Sequence, residues 1–249
     1  FKSGLAIVRL TLIAKGTFMS SIYSAPIIVF DVNETLLDID KLTPLFIRLF
    51  GDHNRLREWF AQLVLYSQTM TLSGLYTPFG ELGVGALQMT ADIHAVTLTE
   101  ENVQEFKQRM SQMPAHPDAI PALTKLRDAG FRLVTLTNSA PSPSPTPLEK
   151  AGLNRFFEQN FSVASVNQFK PAAATYQMVA RELSVETSEL CLVACHLWDV
   201  IGAQAAGCQG AFITRPYNAL LSAPNVPKPD FIASDLITLA EHIINHQSS

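Results

Sequence analysis

Asp31 follows the apolar run Ile27 to Phe30, and Thr137, Asn138 and Ser139 close the run that begins at Arg132. Lys170 comes a few residues after a third run, Phe161 to Ser165, and His196 to Asp199 follow a fourth, Leu190 to Cys195. In an open parallel sheet the carboxyl ends of the strands face the ligand crevice, so residues just past each strand are those that can meet a substrate. Two carboxylates, one ammonium and several hydroxyl and amide groups would then gather on one edge. Such a set can attack, hold charge and hydrogen-bond a small molecule. Each member also has an ordinary structural use. Asp31 and Asn138 can cap turns, Lys170 before Pro171 can be an exposed cation, and Asp199 can cap a helix beginning at Val200.

The elements that must position these residues follow from hydrophobic patterning. From Ala25 onward, short apolar runs alternate with amphipathic stretches, the pattern of parallel strands joined by crossover helices. A fifth strand is expected at Ala211 to Thr214. Helices are expected at Ala119 to Ala129, Leu148 to Ala151, Ala172 to Leu183 and Val200 to Ala206, with Gly130, Gly152 and Gly207 closing three of them. The rhythm breaks between about Leu42 and Met113, where Trp59, Phe60, Leu63 and Tyr66, then Leu82, Ala86 and Met89, recur at helical spacing. That stretch reads as an all-helical insertion after the first strand. The proline-rich segment Ala140 to Pro147 must be extended or turning, and it would rim the site if it is more than a solvated loop.

Composition bounds the rest. The 249 residues are 47% hydrophobic and 16% charged, enough for one large core or a core with a small appended domain. Eighteen Lys and Arg against 22 Asp and Glu give a net charge of -4, which offers no bulk positive field for nucleic acid. The three cysteines, Cys191, Cys195 and Cys208, form no C-x-x-C pair and read as buried thiols of a reducing compartment. Lys2, Arg9 and Lys15 interrupt the apolar N-terminus, so neither a membrane span nor a signal peptide is expected there, and a cytoplasmic location is. Residues 1–24 are expected to be an N-terminal extension, 25–40 with 114–249 a Rossmann-like core, and 41–113 a helical cap.

The chain resembles the haloacid dehalogenase superfamily, and within it the (S)-2-haloacid dehalogenase branch. The resemblance rests on Phe30-Asp31-Val32-Asn33-Glu34-Thr35-Leu36, on Leu136-Thr137-Asn138-Ser139, on Phe169-Lys170-Pro171 with Tyr176, and on Trp198-Asp199 followed by Gly202-Ala203. It spans about Ile27 to Ile244. It implies an α/β fold with a Rossmann-like parallel sheet, an inserted helical cap and a possible homodimer. Phosphatases of the superfamily carry a second Asp two residues after the nucleophile to protonate the leaving alcohol, together with a magnesium ion. Asn33 stands at that position and cannot act as a general acid, whereas halide leaves without a proton.

The implied activity is therefore hydrolysis of short 2-haloalkanoic acids to 2-hydroxy acids, with no cofactor and no metal. Asp31 would attack the halogen-bearing carbon and form an ester that water then hydrolyses. Lys170 would lower the pKa of Asp31, while Asp199 would hold Lys170 and help activate water. Thr35 and backbone amides at Val32 and Asn33 would bind the substrate carboxylate and the carbonyl oxygen; Thr137, Asn138 and Ser139 would complete that cradle, with Asn138 or a cap residue facing the halide. Tyr176 and Trp198 are placed near the nucleophile by the same motifs, though Tyr176 is equally a core aromatic.

The family's halide-gripping arginine falls at Phe60, and Arg55 and Arg57 are expected to turn to other helix faces. Ala194 and His196 replace the family's Ser and Asn; His196 would orient water or stabilise halide, or be a structural histidine. Phe46, Phe60, Tyr66 and Phe79 are candidates for the apolar wall of the site, or for the cap's own core. The rival readings are a magnesium-dependent phosphatase and a non-catalytic relative that binds a small acid.

Overall fold

The computed structural model describes residues 26–247, so the expected extension at 1–24 lies outside the described residues. Six parallel strands form one sheet: β1 (Ile27–Phe30), β2 (Leu133–Thr137), β3 (Gln159–Ser162), β4 (Leu190–Ala194), β5 (Gln209–Ile213) and β6 (Phe231–Ala233), in the order β3-β2-β1-β4-β5-β6. All four residues of β1 and all five of β4 are buried, as expected of parallel strands covered on both faces. The chain runs from β1 outward to β3 and then crosses back to place β4 beside β1. A crevice therefore opens between β1 and β4, at the strand-order reversal.

Four helices separate β1 from the first crossover helix: α1 (Thr43–Phe50), α2 (Arg55–Leu72), α3 (Phe79–Ile93) and α4 (Glu100–Met110). Their apolar faces close on one another around Trp59, whose ring meets Phe46 at 5.6 Å and Phe106 at 5.2 Å between centroids. The Trp59 indole donates to the Gly83 carbonyl at 2.8 Å, so this buried ring leaves no polar atom unpaired. The remaining helices are α5 (Ala119–Asp128), the single turn α6 (Pro147–Lys150), α7 (Ala173–Leu183), α8 (Leu197–Ala205) and α9 (Leu236–Gln247). Gly130 and Gly207 end their helices at φ +88° and +94°, a conformation that a Cβ disfavours.

The structure corrects several sequence expectations. The third strand ends at Ser162, and Val163–Ser165 is a 3-10 turn because the Ser162 hydroxyl accepts from the Ala164 amide at 3.2 Å. Strand β6 and helix α9 were not anticipated, since the short Phe231–Ala233 segment follows a proline-interrupted loop and gives no alternation to read. Asp199 does not cap a helix at Val200. Helix α8 begins at Leu197 with His196 at its cap, which leaves the Asp199 carboxylate free for other partners.

Candidate active site

Strand register brings the four motifs together. Phe30 pairs with Thr135 on one side and Val193 on the other, so Asp31, the end of β2 and the end of β4 lie level on one edge. Asp31 is 5% exposed, Lys170 1%, Asp199 0% and His196 4%. Buried charges persist only when paired, and here each one is. The Lys170 ammonium donates to Asp31 Oδ1 at 2.8 Å, to Asp199 Oδ2 at 2.5 Å and to the Leu136 carbonyl at 3.0 Å, which uses all three of its protons. Asp199 Oδ1 accepts from the Tyr176 hydroxyl at 2.6 Å. Asp31 Oδ2 accepts from the Thr35 hydroxyl at 2.7 Å and lies 3.3 Å from His196 Nδ1.

The network continues beyond the nucleophile. His196 Nε2 lies 2.8 Å from Glu34 Oε2, and Glu34 is gripped in turn by Arg57 of α2. Arg57 also donates to Asp40 at 2.5 Å and stacks over Tyr217 at 4.3 Å. Asp199, Lys170, Asp31, His196, Glu34, Arg57 and Asp40 thus form a line of alternating charge from a fully buried end to a half-exposed one. Burial would push the Asp31 carboxyl up, but the charge of Lys170 and the bond to His196 outweigh it and hold it well below the usual carboxylate range. Burial works against protonation of His196, yet the Cys195 sulfur and the carboxylates of Asp31 and Glu34 raise its pKa well above the ordinary value. Lys170 is raised against burial by Asp199 and Asp31, and burial lifts Asp199 itself against the pull of Lys170. The resting site therefore holds an ionised Asp31 between two cations.

The other residues named from sequence fall into two groups. Thr35 faces Asp31 and accepts from the Cys195 amide at 3.0 Å, so its hydroxyl proton is committed to the nucleophile. Asn138 accepts from the Lys170 amide at 3.0 Å and anchors the lysine's backbone. Phe60 and Trp198 each stack with the His196 ring, with centroids at 5.3 and 5.2 Å and interplanar angles of 28° and 19°. Val32, Asn33, Thr137 and Ser139 instead line a cavity of about 530 Å³ between the sheet edge and the helices, where Trp59 and Phe79 form part of the opposite wall. Asn33 donates to the Ser139 hydroxyl at 3.2 Å across its mouth. Of the expected wall residues, Tyr66 is exposed, Phe46 is packed inside the helical layer and Phe60 lies against the His196 ring, so of the four Phe79 alone borders this space.

Two residues escaped sequence reasoning. Arg57 was expected to face away, but residues three apart on a helix share a face, so Arg57 meets Glu34 and Phe60 meets the His196 ring. Glu34 lay inside the first motif without a role, although an acidic residue three positions after Asp31 was the available signal. It is 3% exposed and held at φ +65°, a left-handed conformation rare outside glycine.

Neither metal arrangement open to these residues fits a divalent ion. Asp31 is contacted by an ammonium and an imidazole, and both oxygens of the only acid in the fourth motif are taken by Lys170 and Tyr176. Glu34, Cys195 and His196 bring ligand-type atoms within 4.8 Å of one another. Burial raises the Cys195 thiol, however, and Glu34 already serves His196, Arg57 and Asn218, so this trio reads as an internal hydrogen-bonded network.

A family model described as haloacid dehalogenase-like hydrolase matches residues 26–207. The (S)-2-haloacid dehalogenase 1 of Pseudomonas sp. strain CBS-3 is 29% identical over 189 residues, covering 75% of this chain and 83% of that protein. A solved L-2-haloacid dehalogenase superposes with a TM-score of 0.83 at 26% identity, over 88% of this chain and 99% of its own. The L-2-haloacid dehalogenase of Xanthobacter autotrophicus, solved with chloropropionic acid covalently bound, gives 0.79 at 23% identity, over 88% and 98%.

Proposed function

The chain belongs to the haloacid dehalogenase-like hydrolase family, and from the chemistry of its site we propose that it hydrolyses 2-haloalkanoic acids to 2-hydroxy acids through an ester on Asp31. The observation that carries this reading is the state of Asp31: a buried carboxylate kept ionised between Lys170 and His196, with Asn33 where a phosphatase needs its acid. A carboxylate is a weak nucleophile when hydrated, and burial strips that hydration while the two cations keep the charge. Asp31 attacks the carbon bearing the halogen, the carbon–halogen bond breaks, and halide leaves with the electron pair. Lys170 then polarises the ester carbonyl while water attacks it, and the carboxylate returns.

We assign the substrate carboxylate to the amides of Val32 and Asn33 and the hydroxyls of Thr137 and Ser139, four residues that line the cavity. Asp199 and Asn138 act through Lys170, the first by holding its side chain and the second by holding its backbone, while Tyr176 holds Asp199. Cys191, Cys195 and Cys208 are all unpaired and buried, which suits a reducing cytoplasm. Leu65, Tyr66 and Leu72, exposed on α2, offer an apolar face for the expected homodimer, and the mass in solution tests this. Among the described residues, no helix is long and apolar enough to cross a membrane.

The test is to incubate the protein with 2-chloropropionate, monochloroacetate and a generic phosphomonoester, each with and without EDTA. Halide release that survives EDTA and disappears in Asp31→Asn supports the proposal. Phosphate release abolished by EDTA overturns it in favour of a phosphatase.

A further inference from the structure

Hydrolysis of the Asp31 ester needs a base for the attacking water, and Asp199 is poorly placed to be one. Both of its oxygens are bonded, to Lys170 and Tyr176, and it stands behind Lys170 with no exposure. His196 lies on the opposite side of the nucleophile. Its ring stacks with both Phe60 and Trp198, which fixes the plane in which its nitrogens point. One nitrogen reaches Asp31 at 3.3 Å and the other Glu34 at 2.8 Å. A nucleophile, an imidazole and a carboxylate that orients the imidazole form the constellation of base-assisted covalent catalysis.

Glu34 is itself tightly held. Arg57 and Asn218 bond its carboxylate, and His116 Nε2 lies 2.9 Å from its backbone carbonyl. Its left-handed backbone is the kind of strain that persists where the surroundings over-determine it, commonly at functional sites.

We propose that His196, oriented by Glu34, is the general base that activates water against the Asp31 ester. This rests on the haloacid reading and names a residue for its second step. In the resting enzyme His196 is protonated and pairs with Asp31. Ester formation removes the Asp31 charge, so His196 loses one of its counter-charges and releases a proton to solvent, leaving Nε2–H on Glu34 and a lone pair on Nδ1. Water adds to Asp31 Cγ and gives a proton to Nδ1. The Cγ–O ester bond breaks, the alkoxide takes that proton from His196, and the carboxylic acid left on Asp31 returns its own proton to the imidazole. Over the cycle, haloacid and water become hydroxy acid, halide and one proton. The groups facing His196 are Asp31, Glu34 and Cys195, with Arg57 reaching it through Glu34.

The experiment compares wild type, His196→Ala and Glu34→Gln with 2-chloropropionate and monochloroacetate, reading halide release and intact protein mass. In His196→Ala we expect a burst of one halide per active site, turnover reduced about 100-fold or more, and a mass increase on the peptide that carries Asp31. Added imidazole, filling the space the His196 ring vacates beside Phe60 and Trp198, restores turnover. In Glu34→Gln the same ester accumulates, and the alkaline-rising limb of ester hydrolysis moves to lower pH because the imidazole has lost a carboxylate. That variant carries the test if His196→Ala does not fold. The proposal is overturned if turnover continues without ester accumulation, or if the burst itself is lost in a folded His196→Ala, which would place His196 in the first step. Silence of the wild type on both acids overturns the haloacid reading and this inference with it.

Discussion

Replacing Lys170 by Met keeps an unbranched stem of similar length and removes the charge at the centre of the site. Asp31 and Asp199 would then share a buried space with no cation between them, and the Leu136 carbonyl would lose its donor. Exposures of 1% for Lys170, 7% for the Asp31 side chain and 0% for that of Asp199 leave no solvent to screen them. Removing one partner of such a buried pair costs about 3–5 kcal/mol. At about 2–4 °C per kcal/mol for a chain of this size, the melting temperature should fall by about 6–20 °C. Nucleophilic activity should vanish as well, because Asp31 next to another carboxylate takes up a proton. Adding Asp199→Asn to Lys170→Met removes the repulsion and should recover more than half of the lost stability, without recovering activity. Thermal melts of the single variants and the pair, run as a double-mutant cycle, measure this. A Lys170→Met protein within about 1 kcal/mol of wild type, well short of the cost of an unpaired buried charge, would refute the reasoning, and so would a pair no more stable than Lys170→Met alone.

Stability should also depend on pH from both sides. Asp31 and Glu34 titrate below their ordinary values of 3.8 and 4.5 in the fold, so their contribution is present above those values and is lost as pH falls through the lower folded ones. His196 is raised above 6.5, so its contribution is full below 6.5 and is lost as pH rises through the folded value; urea melts across this range should show both declines, the alkaline one absent from His196→Ala. Arg57→Met removes the cation that competes with His196 for Glu34, so the limb of ester hydrolysis that rises with pH should shift upward, opposite to Glu34→Gln, in pre-steady-state assays. Because the cavity of about 530 Å³ greatly exceeds a three-carbon acid, kcat/KM should rise with the alkyl chain of the 2-chloroacid. Full burial of each added methylene at about 0.8 kcal/mol gives about fourfold per carbon. Gly202→Ala would put a Cβ 2.3 Å from Pro171 Cβ and 2.8 Å from the Tyr176 hydroxyl. The overpacking should cost about 1–3 kcal/mol in chemical denaturation.

Much of this arrangement is legible in the sequence because parallel sheets place chemistry at strand ends. Asp31, Asn138, Lys170, His196 and Asp199 could be picked out from position alone, and register brings them to one edge. The shortest elements were not legible. Phe231–Ala233 is too brief to show a period, and the end of β3 depends on a serine hydroxyl that competes with the strand. The part of the site that escaped, Arg57 and Glu34, is held together by contacts between segments distant in the chain. Glu34 meets His196 across 162 positions and Asn218 across 184, and no local pattern encodes such pairs. The family resemblance directed attention to Phe60, where an arginine was missing, while the cation that reaches the network stands one helical turn earlier.

The central claim is that the attacking water reaches Asp31 rather than the substrate carbon. A single turnover with enzyme in excess over 2-chloropropionate, run in water enriched in oxygen-18, tests it directly. The account predicts label in the carboxylate of Asp31, found by mass spectrometry of the peptide that contains it, and an unlabelled hydroxy acid. Label in the hydroxy acid with none in Asp31 would contradict it.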